Sequence, residues 1–231
     1  NLASSRLQLV KRYQVNNSIQ SISFSEQNPN LVGVTTGEGR FSLFDISSNR
    51  MDAVVSLRLF QKEAMTCSNN RFMPFLYAVG GMNGELRLLD MKAQKVDEMT
   101  LAERVVPGGK KLVPSGVNVE TVNEVHWHPN NKNILGVASG HGRLFIKDLS
   151  LPSASKNAVV IEDVSRNVLS FDFNKYNHTI ALAGVDNSIK IYDLKKPHVP
   201  LMELRGHKYA VTKVRFSPFS DSILASSSYD M

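Results

Sequence analysis

His126 and His128 are separated by one residue, so on a β-strand both imidazoles would leave the same face, an arrangement from which a metal site can be built. A tetrahedral site needs further ligands, and none lies close in sequence. Trp127-His128-Pro129 also fits a strand running into a turn, which favours packing over ligation. Gly37-Glu-Gly39, Gly80-Gly81 and Gly140-His-Gly142 are too short to cradle a phosphate. Cys67 is the single cysteine; it permits no intramolecular disulfide, suggests a reducing compartment, and has no neighbouring base to make a thiolate. No nucleophile, base and acid stand in a readable order. The chain is therefore expected to be no enzyme, with no catalytic residue, metal site or cofactor.

The elements that would carry these residues repeat. Gly39-Arg-Phe41-Ser-Leu43-Phe-Asp45, Gly84-Glu-Leu86-Arg-Leu88-Leu-Asp90, Gly142-Arg-Leu144-Phe-Ile146-Lys-Asp148 and Asn187-Ser-Ile189-Lys-Ile191-Tyr-Asp193 share one pattern: a turn residue, two apolar residues spaced by two, and a final Asp. The aspartates are 45, 58 and 45 residues apart, a period suited to four short strands. Each copy is preceded by a run of small apolar residues, as in Ile134-Leu-Gly-Val-Ala-Ser, which suits a strand packed on both faces. Before those runs stand pairs spaced by two, Ile22 and Phe24, Met65 and Cys67, Val125 and Trp127, Phe171 and Phe173, which are candidates for the innermost strands. Asp186-Asn187 predicts a two-residue hairpin. One such sheet cannot stand alone in water, so the fold must stack several.

The 231 residues include 42% hydrophobic ones, ordinary for a globular protein, and no apolar run reaches the length of a membrane span. Net charge is +6, but the 27 basic residues are scattered. The densest group, Arg104, Lys110 and Lys111, falls in a loop-like segment with Pro107-Gly108-Gly109. Neither a nucleic-acid partner nor stable membrane insertion is expected. The chain starts at Asn1, and a fifth copy stops at Tyr229-Asp230-Met231, so the reading is of a fragment lacking sequence at both ends.

Gly206-His207, Ser217-Pro218 and the recurring hydrophobic-x-hydrophobic-x-Asp ending resemble the WD-repeat family of β-propellers. Within it, Gly184-Val-Asp-Asn-Ser-Ile-Lys-Ile-Tyr-Asp193, Lys213-Val-Arg-Phe-Ser-Pro218 and Ala225-Ser-Ser-Ser-Tyr-Asp-Met231 are similar to the peroxisomal type-2 targeting-signal receptors, strongly over about 65 residues. The resemblance implies an all-β WD-repeat β-propeller with about four and a half of seven blades present. The chain 1–231 would be a single partial domain, with blades near 14–57, 58–98, 117–160, 164–203 and 207–231 and an insertion at 99–116.

The same resemblance implies a cytosolic receptor that shuttles to the peroxisome. It would bind the N-terminal helical type-2 signal of matrix proteins and pass them, with a co-receptor, to the import machinery. The alternative is a WD-repeat scaffold or adaptor in another assembly, such as a trafficking or ubiquitin-ligase complex. Acids at the start of innermost strands would meet the signal's Arg. By position these are Glu63, with Asn17 and Asn167 where acids would be expected; Asp172 or Glu120 could substitute. Tyr209 and Tyr229 would offer aromatic anchors. His207, Asp230 and a serine of the run 226–228, assigned to Ser227, would form a structural network, with Asp186 at the corresponding turn of the preceding copy.

Overall fold

The computed structural model describes residues 11–100, 120–151, 157–162 and 167–230. All regular structure in them is β. The first sheet holds β1 (Ile19–Phe24), β2 (Leu31–Thr36), β3 (Arg40–Asp45) and β4 (Val55–Arg58). The second holds β5 (Ala64–Asn70), β6 (Met73–Gly81), β7 (Glu85–Asp90) and β8 (Lys95–Thr100). The third holds β9 (Val122–Trp127), β10 (Ile134–Ser139), β11 (Arg143–Asp148) and β12 (Asn157–Glu162). The fourth holds β13 (Val168–Phe173), β14 (Thr179–Gly184), β15 (Ser188–Asp193) and β16 (Met202–Arg205); β17 (Val211–Phe216) pairs with β18 (Leu224–Ser228). Each sheet is an antiparallel meander, and the first strands β1, β5, β9, β13 and β17 pack side by side in succession. This is the all-β arrangement of WD-type propeller blades. Of the expected insertion, residues 99 and 100 belong to β8; the rest, with the Arg104, Lys110 and Lys111 group, lies outside the described residues, as do 1–10 and Met231.

The small second strands do what their composition demands. Every residue of β2 is buried, and glycines there accept bulk from the next sheet. A Cβ on Gly136 would come within 2.5 Å of the Phe171 ring, and one on Gly33 within 2.8 Å of Tyr77. Apolar clusters accordingly run between sheets: Phe41, Leu43, Tyr77 and Val79 between the first two, Leu144, Ile146, Phe171 and Ile180 between the third and fourth.

The turn between second and third strands is three residues long, not two. In the fourth sheet Ala183 pairs with Ile189, and Asn187 adopts φ 62° at the position that Gly39, Gly84 and Gly142 fill at φ 80°, 72° and 73°. Gly39 N–H bonds Thr36 O at 3.1 Å, so a β-turn is followed by one left-handed residue. That geometry explains why this position is Gly or Asn in these four copies.

A first strand is an edge strand, and its free N–H groups need partners. Side chains of the preceding sheet supply them. Ser21 Oγ accepts from Cys67 N–H at 3.4 Å, Thr66 Oγ1 from Val125 N–H at 3.3 Å, and Ser170 Oγ from Val214 N–H at 3.1 Å. At the same level of β9 the acceptor is a carboxylate: Glu124 Oε2 takes Phe171 N–H at 3.0 Å.

Candidate functional site

The ends of the sheets at which the first strands begin form an upper face, and the first strands together line a cavity of about 630 Å³. Equivalent bonds fix the upper rim: Gly37 N–H to Ser18 O, Met82 N–H to Glu63 O, Gly140 N–H to Thr121 O and Val185 N–H to Asn167 O. Ser18, not Asn17, therefore stands level with Glu63 and Asn167. Asn17 instead caps the turn, its Oδ1 accepting Ser18 N–H at 2.7 Å.

Asn167 is engaged sideways, since its Oδ1 accepts from Asn123 Nδ2 at 2.6 Å while the same amide donates to Val168 O at 2.7 Å. Glu63 is half-buried, and its carboxylate has no ion pair or hydrogen bond among the described residues. Tyr209 and Tyr229 are 60% and 71% exposed on the same face, joined through Ser228, whose hydroxyl donates to Tyr209 O.

The two substitute acids are occupied elsewhere. Glu120 receives Arg143 in a bidentate pair at 3.0 and 2.9 Å and the Ser139 hydroxyl at 2.5 Å. Asp172 accepts Phe216 N–H at 2.8 Å inside the cavity, and burial raises its pKa. Neither is placed to meet a cation arriving at the rim.

The strongest charges are inside the cavity and were not anticipated. Glu124, with 3% of its side chain exposed, takes Lys213 Nζ at 2.5 Å and an Arg215 nitrogen at 2.8 Å, both from β17 across the intervening β13. His126 Nε2 lies 3.5 Å from the same carboxylate. Burial alone would raise the Glu124 pKa; His126 and Arg215 overcome it and hold the carboxyl well below its usual range. A readable signal existed: Lys213 and Arg215 alternate on one strand, and Glu124 falls where three other copies have Ser21, Thr66 and Ser170.

His207 Nδ1 pairs with Asp230 Oδ2 at 2.9 Å, and its Nε2 with Ser226 Oγ at 2.8 Å. Asp230 also accepts Lys208 N–H at 2.9 Å, and these donors lower its pKa. The serine in this network is Ser226, because successive side chains of a strand leave opposite faces and Ser227 points to the other one, where it meets Thr212 at 3.2 Å. Asp186 has no histidine; it bonds Ser188 at 3.0 Å and Lys190 at 2.6 Å within its own turn. His126 packs edge-on against Phe171 and His128 at a tilt against Phe173, with ring centroids 5.4 and 5.0 Å apart, and no cluster of three metal-ligating side chains occurs among the described residues. Cys67 is buried, and burial pushes its thiol pKa up to about 12.

A family profile, WD domain, G-beta repeat, matches residues 198–231. The chain is 24% identical over 231 residues to the histone acetyltransferase type B subunit 2 of Candida glabrata, covering 98% of this chain and 51% of that protein. It is 25% identical over 261 residues to the peroxisomal targeting signal 2 receptor of Saccharomyces cerevisiae, covering 99% of this chain and 69% of that one. The histone acetyltransferase type B subunit 2 of Eremothecium gossypii is 31% identical over 198 residues, with 81% and 41% covered. The chain thus spans about half the length of the acetyltransferase subunits it matches. The WD-repeat family is supported by both the profile and these relatives, which divide between an acetyltransferase subunit and a targeting-signal receptor.

Proposed function

We propose that this chain is part of a receptor for the type-2 peroxisomal targeting signal, a WD-repeat interaction protein that holds a cationic helical peptide on its upper face. The observation carrying this reading is Glu63, a half-buried carboxylate at the rim that no described side chain neutralises, on the face where Tyr209 and Tyr229 are exposed. A preformed rim of apolar and aromatic contacts with one acid suits an amphipathic helix bearing an arginine. Asn17 holds its turn and Asn167 is bonded to Asn123, and both would meet the peptide as neutral hydrogen-bonding groups. The receptor would work in the cytosol, shuttle to the peroxisome, carry matrix proteins with that signal and act with a co-receptor.

The test is titration of a labelled type-2 signal peptide and its Arg→Ala form. The natural peptide should bind at least tenfold more tightly, and Glu63→Ala should remove most of that difference, since a desolvated charge pair typically costs about 2–5 kcal/mol when truncated. Equal binding of the two peptides ends this reading. The relative at 31% identity favours a second one, a non-catalytic scaffold subunit of a histone acetyltransferase assembly. Binding of a histone peptide, with none of the signal peptide, would select it.

A further inference from the structure

The opposite, lower face carries a surface that the reading above does not use. The hairpins joining first to second strands close there, and those of the second to fifth sheets are tied to one another. Asn70 Nδ2 donates to Lys132 O at 2.9 Å, Asn130 Nδ2 to Lys175 O at 2.6 Å, Asn174 Nδ2 to Asp221 O at 2.8 Å, and the Tyr176 hydroxyl to Pro218 O at 2.7 Å. The loops therefore form one continuous strip whose backbone is set before any partner arrives, which lowers the entropy lost on binding.

Two kinds of side chain stand out along it. Phe72, Tyr176 and Phe219 are 43%, 52% and 90% exposed, one each on the second, fourth and fifth hairpins. Lys132 is exposed on the third hairpin, with no ion pair among the described residues. Lys175 lies 5.9 Å from the Tyr176 ring on the fourth, again with no ion pair among the described residues. Acids flank the row rather than interrupt it: Glu26 pairs with Arg71 at 2.9 Å at one end, and Asp221 is at the other. A polyphosphate chain long enough to gain affinity by counterion release would meet those end acids. A short segment with its carboxylates in the middle would not.

We propose that this strip docks a short acidic peptide segment in which carboxylates alternate with apolar side chains. The carboxylates would sit on Lys132 and Lys175, and the apolar groups on the rings of Tyr176, Phe219 and Phe72. Aromatic anchors would supply the affinity and the two lysines the register and the attraction at distance.

The probe is a fluorescein-labelled peptide of about ten residues, glutamates interrupted by phenylalanines, titrated by anisotropy against the full chain; the references are a lysine-for-glutamate version, a uridine oligonucleotide and anionic vesicles. The glutamate peptide should bind, the lysine version should not, and affinity should fall as salt rises. Lys132→Glu with Lys175→Glu should weaken binding at least tenfold, and Phe219→Ala at least threefold, with melting curves matching the parent and type-2 signal-peptide binding retained. Unchanged affinity in the charge-reversed chain, or no binding of the glutamate peptide, overturns the proposal. So does an oligonucleotide or vesicle that binds the strip more tightly than the peptide, which would assign it to nucleic acid or lipid. Loss of the signal-peptide site alone leaves these results unaffected, so the two faces can fail separately.

Discussion

Glu124→Gln is the substitution that most directly probes how the first strands are held around the cavity. The amide still offers an oxygen to Phe171 N–H, so the perturbation is confined to the charge that meets Lys213 and Arg215. A hydrogen bond to a charged group contributes about 1.5–3 kcal/mol and an exposed ion pair about 0–1 kcal/mol. Here the carboxylate is 3% exposed but its partners are 56% and 40% exposed and can rehydrate, which places the combined loss near 2 kcal/mol, at the lower end. For a domain of this size that lowers the melting temperature by about 4–8 °C.

The loss should depend on pH with a defined sign. The folded-state pKa of Glu124 lies well below its ordinary value of 4.5, so its stabilisation is present above about that pH and is lost as pH falls through the depressed pKa. Asp172 runs the other way: burial raises its pKa from 3.8, so its contribution exists below that value and is lost as pH rises through the folded one. Far-UV circular dichroism melts of the parent and Glu124→Gln from pH 7 down to pH 3 should show a gap that closes as pH falls. A double-mutant cycle with Arg215→Gln should give a coupling of about 1 kcal/mol. A gap under about 1 °C at pH 7, or one that widens in acid, would refute the cross-cavity ion cluster as a stabilising element.

Further outcomes follow from single contacts. Ser226→Ala removes the hydroxyl that meets His207 Nε2 at 2.8 Å and should cost about 1 kcal/mol in chemical denaturation, whereas Ser227→Ala, whose hydroxyl meets only Thr212, should cost under half of that. The reverse order would place the network on the wrong serine. Gly39→Ala should destabilise by well over 1 kcal/mol, because the new Cβ would lie 2.3 Å from both Phe60 O and Lys62 O at a residue with φ 80°. Gly206→Ala, with nothing within 4 Å of its Cβ, is the matched control and should melt near the parent temperature.

The sheets were legible because turn and strand residues recur together. Glycine or asparagine at 39, 84, 142 and 187 marks the one left-handed residue of each turn, and the aspartate six positions later closes each third strand. The turn's length was not legible. Asp186-Asn187 suits a two-residue hairpin by composition, but only the pairing of Ala183 with Ile189 shows that Val185 belongs to the turn as well. The sequence suggests Ser227 as the partner of His207 and Asp230, whereas the structure joins His207 to Asp230 and Ser226. Three consecutive serines carry no pattern by which alternate faces could be told apart.

The upper rim and the charge cluster share one reason for being hidden. Every pairing of a first with a second strand slips by one residue near its upper end: between Ile19 and Ser21, Ala64 and Thr66, Ala138 and Ser139, Val168 and Ser170, and Val211 and Lys213. A bulge of one residue reverses which face the remaining side chains take, so counting by twos from the turn puts cavity-facing residues on the wrong side. Counted from below the bulge, Ser21, Thr66, Glu124, Ser170 and Lys213 fall on one level, and the anomaly becomes plain: three positions carry neutral hydroxyls, and the other two carry a buried acid and a base. A lone carboxylate there would be too costly to bury, so it requires a cation within reach. The cations that answer it come from 89 and 91 residues away, a separation that no local pattern encodes.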